Sequence, residues 1–253
     1  HLLTRVSKEG HKGKNVPTTL DGTLQHQVNR IIEHHHKTLS QNEIHNACAI
    51  VLDVETGNVL AYTGNTTTIN SEHGNDVDVI TAARSTGSIL KPLLYSSILS
   101  DGEILPNALV PDIPTQIGSY SPKNYFLTYD GAVPARKAIA RSLNVPIVRM
   151  LQQYSVEKLH FKLKKIGMTT ITQPANHYGL SLILGGAEGK LWDITGIYAS
   201  MARTLNHYTK HNGSTIKMIS MHPIICRLLK RKKEFLNKLL ITMLLPFISR
   251  LKR

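Results

Sequence analysis

Two residues with reactive side chains stand three positions apart in the first half of the chain. Ser88 and Lys91 lie within residues 84–92, which read Arg-Ser-Thr-Gly-Ser-Ile-Leu-Lys-Pro. If a helix begins at Ser88, this spacing places the hydroxyl and the amine on one helix face. A lysine whose charge is disfavoured by burial can take the proton of a nearby serine and make it a nucleophile. The pattern therefore predicts nucleophilic catalysis, with backbone N–H groups of the helix start available to a developing negative charge.

A bare Ser-x-x-Lys spacing is weak, because it also fits an exposed helix start with a solvated lysine. A second element strengthens it: Ser142-Leu143-Asn144 follows a predicted helix over 135–141. Alone, this tripeptide is more typical of a helix cap. A second hydroxyl can nevertheless relay a proton to a leaving group, and an amide can hold a substrate. The combination is typical of penicillin-binding proteins and serine β-lactamases.

With these motifs in place, the sequence resembles the penicillin-binding proteins, and more narrowly their bifunctional 1C type, over residues 15–208. The strings that carry the resemblance are residues 18–25 (TTLDGTLQ), 47–64 (ACAIVLDVETGNVLAYTG), 77–80, 112–120 and 178–198. The resemblance implies an α+β penicillin-binding/β-lactamase-like transpeptidase fold, an antiparallel sheet flanked by helices, here truncated before its last strands.

The resemblance also implies a peptidoglycan D,D-transpeptidase that acts through a serine acyl-enzyme. Ser88 would attack the carbonyl between the two terminal D-alanines of a stem peptide, after Lys91 takes its proton. Ser142 would relay a proton to the departing D-alanine, and Asn144 would bind the donor peptide and orient the lysine. The expected partners are peptidoglycan stem peptides and β-lactams, not nucleic acid. This chemistry needs no metal or organic cofactor.

Two parts of the family pattern are absent, and the one expected after the second motif bears on the activity. No Lys-Thr-Gly or Lys-Ser-Gly follows Asn144, and the nearest similar stretch, residues 212–215, has no lysine in register. The loss of one oxyanion donor costs about a hundred- to a thousandfold in rate. We therefore expect an impaired enzyme. The alternatives are a catalytically dead remnant and a β-lactam-hydrolysing or sensing relative.

The expected organisation is a linker over residues 1–40, a partial transpeptidase domain over 41–211 and a basic tail over 212–253. The resemblance implies a membrane helix and a glycosyltransferase domain before the transpeptidase, and a location at the periplasmic face of the bacterial inner membrane. This chain begins at His1 and shows no apolar run of transmembrane length and no targeting segment. We therefore interpret it as a fragment, which would meet a membrane only through the missing anchor or weakly through the tail.

The tail differs from the rest in composition. It holds ten basic residues and one acidic residue, a net +9 of the formal +13 of the chain. We favour translation out of frame, because the resemblance stops abruptly there. A basic amphipathic helix on a membrane surface is the second interpretation. Nucleic-acid binding is the third and the weakest, because no recognition fold accompanies the charge.

The elements that must position the motifs can be predicted from the patterns between them. Alternation and a Gly-Asn turn predict a hairpin with strands at 47–54 and 59–63. Residues 106–129 are rich in Pro, Ser, Gly and Tyr, and predict irregular structure at the rim of the site. The predicted helices span residues 25–39, 88–99, 135–142, 146–153, 156–166 and 191–202.

Two acidic residues and a glycine run are less informative about the chemistry than the two motifs. Asp53, on the first strand, is expected to be structural. Glu188 could activate water, as a β-lactamase requires, but its spacing does not place it at the site. In the family that the chain resembles, residues 185–189 form a packing and turn element near the floor of the active site.

Overall fold

A computed structural model describes residues 1–67 and 71–210 of the chain. These residues form two units: residues 1–83 with 190–203, and residues 84–189 with 204–210. The basic tail, residues 212–253, lies outside the described residues, and so does the stretch 212–215, which is the nearest match to the missing Lys-Thr-Gly tripeptide.

The first unit is built around a hairpin and a long helix. Its elements are α1 (Leu2–Val6), a π-helical turn (Ser7–His11), α2 (Gly22–Leu39), a 3-10 turn (Ser40–Asn42), β1 (Ala49–Leu52), β2 (Val59–Thr63), a 3-10 turn (Ser71–His73) and the first part of α8 (Leu191–Lys210). The predicted hairpin is confirmed and β2 has the predicted bounds, but β1 is shorter than the predicted strand over 47–54 and leaves Asp53 in the turn. Its core is Val59, Tyr62 and Ile80, against which Leu191 and Trp192 pack.

The hairpin turn explains the role of Asp53. One carboxylate oxygen accepts hydrogen bonds from the backbone N–H of Thr56 (2.6 Å) and from its hydroxyl (2.5 Å). These bonds hold the pKa of Asp53 below its usual value. Gly57 completes the turn with φ +71°, a conformation that glycine adopts at little cost. The structural interpretation of Asp53 is confirmed.

Helix α2 is bonded directly to the outer edge of β2. Asp21 caps the helix by accepting from the N–H of Leu24 (2.9 Å), and its own N–H donates to Leu60 O (2.9 Å). One turn later, Gln25 Oε1 accepts from the N–H of Tyr62 (2.7 Å). Residues 21–25 therefore take up backbone groups that an exposed edge strand would leave unpaired.

The second unit contains both motifs. Its elements are β3 (Arg84–Ser85), α3 (Lys91–Ser100), β4 (Leu109–Asp112), β5 (Gly131–Pro134), α4 (Ala135–Ala140), α5 (Asn144–Tyr154), α6 (Val156–Lys165), α7 (Ala175–Tyr178), a 3-10 turn (Gly179–Leu184), β6 (Glu188–Gly189) and the end of α8. Helix α3 is buried from Lys91 to Leu99 apart from Pro92, which is typical of a helix surrounded on all faces by the rest of its unit. It contacts α4, α5 and α6.

Two sequence predictions for this unit are wrong. Residues 106–129 are not all irregular, since β4 lies within them and pairs antiparallel with β5. Pro111 obscured this strand, because proline lacks an N–H and is tolerated in sheets only at edges and bulges. Helix α3 begins at Lys91 and not at Ser88, which lies in the preceding turn, where the Lys91 N–H donates to Ser88 O (3.2 Å).

The glycine run packs against the turn that carries Ser88. β3 pairs with β6, and Thr86 donates to Ala187 O through its N–H (3.2 Å) and its hydroxyl (2.9 Å). Gly185 has φ +101°, and a Cβ there would lie 2.5 Å from Ser85 Oγ and 3.0 Å from the backbone N of Gly87. A side chain at this position would therefore displace the backbone that leads into Ser88.

This close approach predicts a large cost for Gly185→Ala. We expect the free energy of unfolding to fall by about 2 kcal/mol or more, because the backbone strain of a positive φ adds to the clash. Gly118→Ala is the matched control, since Gly118 has φ +59° but nothing within 4 Å of its added Cβ. Urea denaturation should show the smaller loss for Gly118→Ala, and equal losses would contradict the close approach at Gly185.

Candidate active site

The amine of Lys91 lies at the centre of the polar contacts in the second unit. Lys91 is 1% exposed. Its Nζ lies 2.7 Å from Asn144 Oδ1, 2.8 Å from Ser142 O and 3.2 Å from Ser142 Oγ. Both residues of the second motif thus converge on the lysine of the first, across more than 50 residues of sequence.

Burial changes the acid–base chemistry of this amine. Desolvation disfavours the charged form and lowers the pKa of Lys91 from 10.5 to about 8. A neutral amine has two N–H donors and one lone pair. The donors fit the two nearer acceptors, Asn144 Oδ1 and Ser142 O, which leaves the lone pair available to accept from a hydroxyl. The amine is therefore partly neutral near physiological pH, a state in which it can accept a proton.

Ser88 occupies an exposed turn one residue after Gly87, whose φ is +51°. Within the described residues no hydrogen bond joins Ser88 Oγ to Lys91 Nζ, so the structure does not pair nucleophile and base directly. Catalytic hydrogen bonds are often long before substrate binds and tighten in the reacting complex. Ser88 remains the predicted nucleophile on the strength of its position one turn before the buried lysine.

The second motif is held in a strained and specific conformation. Ser142 has φ +53°, which is unusual for a residue other than glycine, and its N–H donates to Ile139 O (2.9 Å). Such backbone strain persists only where the surroundings impose it, and it is frequent at functional sites. The amide of Asn144 is also fixed, since its Nδ2 donates to Lys123 O (2.9 Å) and thereby turns Oδ1 toward Lys91.

The structure adds a residue that the sequence analysis missed. Asn124 is 3% exposed, and its Oδ1 accepts from the N–H groups of Asn144 (3.0 Å) and Val145 (3.1 Å). Nothing local in the sequence signals it, because the need for it appears only once α5 is known to begin after Leu143, whose side chain cannot cap a helix. A helix start without a capping residue of its own requires a polar group from elsewhere.

Glu188 takes no part in the contacts around Lys91. Glu188 is exposed on β6, where its backbone O accepts from the hydroxyl of Thr170 (2.6 Å). Across residues 1–67 and 71–210, the histidine, cysteine, aspartate and glutamate side chains form no group of three that could hold a metal ion. No helix in that same part of the chain is long and apolar enough to cross a bilayer.

Comparison with known proteins identifies relatives of this fold. Residues 47–202 match the family described as penicillin-binding protein transpeptidase domain. Penicillin-binding protein 1C of Escherichia coli K12 is 31% identical over 202 residues, which are 80% of this chain and 26% of that protein. Penicillin-binding protein 1F of Bacillus subtilis 168 is 29% identical over 177 residues, which are 70% of this chain and 24% of that protein. The chain thus spans about a quarter of the length of these curated relatives.

A solved structure supports the fold independently. The penicillin-binding protein PonA1 from Mycobacterium tuberculosis superimposes with a TM-score of 0.65, covering 87% of this chain and 54% of the other, at 19% identity. The predicted α+β transpeptidase fold is thereby confirmed. Since the family match covers more than half of the sequence, this chain belongs to the penicillin-binding protein transpeptidase domain family.

Proposed function

We propose that this chain is part of a peptidoglycan D,D-transpeptidase that crosslinks cell-wall stem peptides through a serine acyl-enzyme. The observation that carries the proposal is the buried Lys91 amine, which has a lowered pKa and lies within hydrogen-bond distance of Ser142 and Asn144. The family membership supplies the reaction class. Crosslinking of peptidoglycan stem peptides would take place at the periplasmic face of the bacterial inner membrane.

In the proposed acylation, Lys91 Nζ takes the proton of Ser88, and Ser88 Oγ bonds to the carbonyl carbon between the two terminal D-alanines. The C–N bond then breaks, and the departing amine of D-alanine receives its proton from the lysine through the Ser142 hydroxyl, 3.2 Å from Nζ. Asn144 binds the donor peptide and keeps the lysine in place. An amine of a neighbouring stem then attacks the ester carbonyl, the new C–N bond replaces the bond to Ser88 Oγ, and a proton of the amine passes through Lys91 to Ser88, which is restored.

A β-lactam would enter the same first step. Its ring carbonyl would acylate Ser88, and the opened ring would stay attached to the protein and block the second step. The absence of a Lys-Thr-Gly tripeptide after Asn144 favours slow acylation, and a catalytically dead remnant is the second candidate for this reason. A β-lactam-hydrolysing relative would instead release the opened ring and recover free Ser88.

The proposed nucleophile can be tested by covalent labelling. The full chain should take up a fluorescent penicillin at Ser88, slowly but stably, and Ser88→Ala should abolish the label. Peptide mapping by mass spectrometry locates the adduct. A label on Ser142 would overturn the assignment of the nucleophile, no label would favour the dead remnant, and loss of the label with turnover would indicate a hydrolase.

The lowered pKa of Lys91 predicts the pH dependence of acylation. The general base must be neutral, so the rate should rise tenfold per pH unit below about 8 and level off above it. At pH 7, about one amine in ten is neutral, and at pH 9 about nine in ten are. Stopped-flow acylation from pH 6 to 10 measures this profile, and a flat profile would contradict a lysine base.

The strain at Ser142 predicts that two substitutions of this residue differ in stability but not in activity. Ser142→Gly and Ser142→Ala both remove the proton-relay hydroxyl and should slow acylation to a similar extent. Glycine accepts φ +53° without strain, so Ser142→Gly should be more stable than Ser142→Ala by about 1 kcal/mol. Urea denaturation compares the two variants. Equal stabilities would show that the left-handed conformation of Ser142 costs nothing.

A further inference from the structure

The loop between β4 and β5 brings one buried amide to the start of α5. Asn124 Oδ1 accepts from the N–H groups of Asn144 and Val145, and Asn124 Nδ2 donates to Asp112 Oδ1 (2.7 Å) and Thr128 O (2.9 Å). These four bonds use both lone pairs and both N–H groups of the amide. Its orientation is determined by its partners, because two of them can only donate and two can only accept.

A full accounting of the helix start shows what Asn124 contributes. An α-helix leaves its first four N–H groups without an intrahelical partner. In α5, the Leu143 N–H donates to Ala138 O (3.0 Å), and Pro146 has no N–H to satisfy. The remaining two N–H groups, of Asn144 and Val145, both go to Asn124. The cap of α5 is thus supplied from twenty residues earlier in the sequence.

The same contacts determine what Lys91 meets. All three acceptors of its amine belong to Ser142 and Asn144, the residues that lead into α5. Asn124 holds the backbone of Asn144, while the carbonyl of its neighbour Lys123 holds the Asn144 side chain. A shift at Asn124 would therefore move the lysine's acceptors as a group.

A second tether acts on this segment but is weaker. Arg141, the residue before Ser142, pairs with Asp130, and the Asp130 N–H donates to Asp112 Oδ2 (3.0 Å). The Arg141 and Asp130 side chains are 49% and 38% exposed, and exposed ion pairs contribute little to stability. Asp112, in contrast, is fully buried and bonds to Asn124. The buried contacts, rather than the ion pair, fix the segment.

We propose that Asn124, supported by Asp112, is a positioning residue that sets the placement of Ser142 and Asn144 against Lys91. It acts through these residues and is not assigned a contact with substrate. The inference rests on the proposed acylation of Ser88. It adds the part of the fold that holds the general base, Lys91, and the proton relay, Ser142, at the correct distance from each other. Misplacement of reacting groups by about 1 Å can cost a hundredfold in rate.

The first test separates the rate of acylation from the amount of folded protein. In the full chain, Asn124→Ala should lower the acylation rate constant at saturating fluorescent penicillin about 10- to 100-fold, with the same final labelled fraction among folded molecules. Asp130→Ala, which removes the exposed ion pair, should change the rate constant less than about threefold. Asn65→Ala, at a 2% exposed asparagine in the first unit, controls for general destabilisation. An unchanged rate constant in Asn124→Ala, or an equal fall in Asn65→Ala, would overturn the proposal.

A pair of substitutions that exchanges the amide and the carboxylate provides a second test, which can be used if Asn124→Ala does not fold. Asn124→Asp retains an acceptor for α5 but sets a carboxylate against Asp112, so acylation should slow. Adding Asp112→Asn restores a donor between the two side chains, and the double variant should recover at least about tenfold of the loss. Failure of the double variant to recover any rate would contradict a positioning role.

A measurement without β-lactam separates this proposal from the proposed function. NMR titration of the Lys91 side chain should show a pKa nearer the ordinary 10.5 in Asn124→Ala, because water reaches the amine when the segment loosens. If the wild-type chain takes up no penicillin, the proposed function fails, and this titration still decides the role of Asn124. An unchanged titration of Lys91 would overturn that role.

Discussion

Lys91 is an amine that the second unit holds almost completely away from water, and a buried amine without acceptors would cost several kcal/mol. Its three acceptors come from one short segment at the start of α5. The packing of α3 against α5 is thus compatible with a folded protein only when Ser142 and Asn144 face the lysine. The same requirement brings a base, a hydroxyl and an amide together, so burial of one cation both restrains the core and assembles the site.

Two features next to Lys91 are unfavourable for the backbone and accompany this arrangement. Ser142 adopts a positive φ, and the start of α5 lacks a capping side chain of its own. The loop between β4 and β5 supplies the missing cap through the Asn124 amide and holds the Asn144 side chain through the Lys123 carbonyl. Most of this loop is exposed, but the Asn124 amide is buried and fully hydrogen-bonded inside the unit, which makes it a well-defined support for the helix start.

The sequence predicted the parts of the fold that local patterns encode. The hairpin followed from alternation and a turn signal. The helices were also predicted, except for the short α1 and α7, although α3 begins three residues later than expected. The pairing of Lys91 with Ser142 and Asn144 followed from motif types and family resemblance. The strand at β4 and the role of Asn124 did not, since both depend on partners distant in sequence. Pro111 masks the strand locally, and an asparagine in a loop looks like any turn residue until the helix that it caps is known.

The contacts between residues 85–87 and 185–187 affect the order in which parts of the chain can fold. Ser85 and Thr86 bond to Gly185 and Ala187, partners 100 and 101 positions later. Closing so long a loop is entropically expensive and slow compared with forming local helices. The turn that carries Ser88 can form these bonds only after residues 185–187 have been added to the chain. Local helices can therefore form early, whereas this turn becomes fixed only when the second unit is nearly complete.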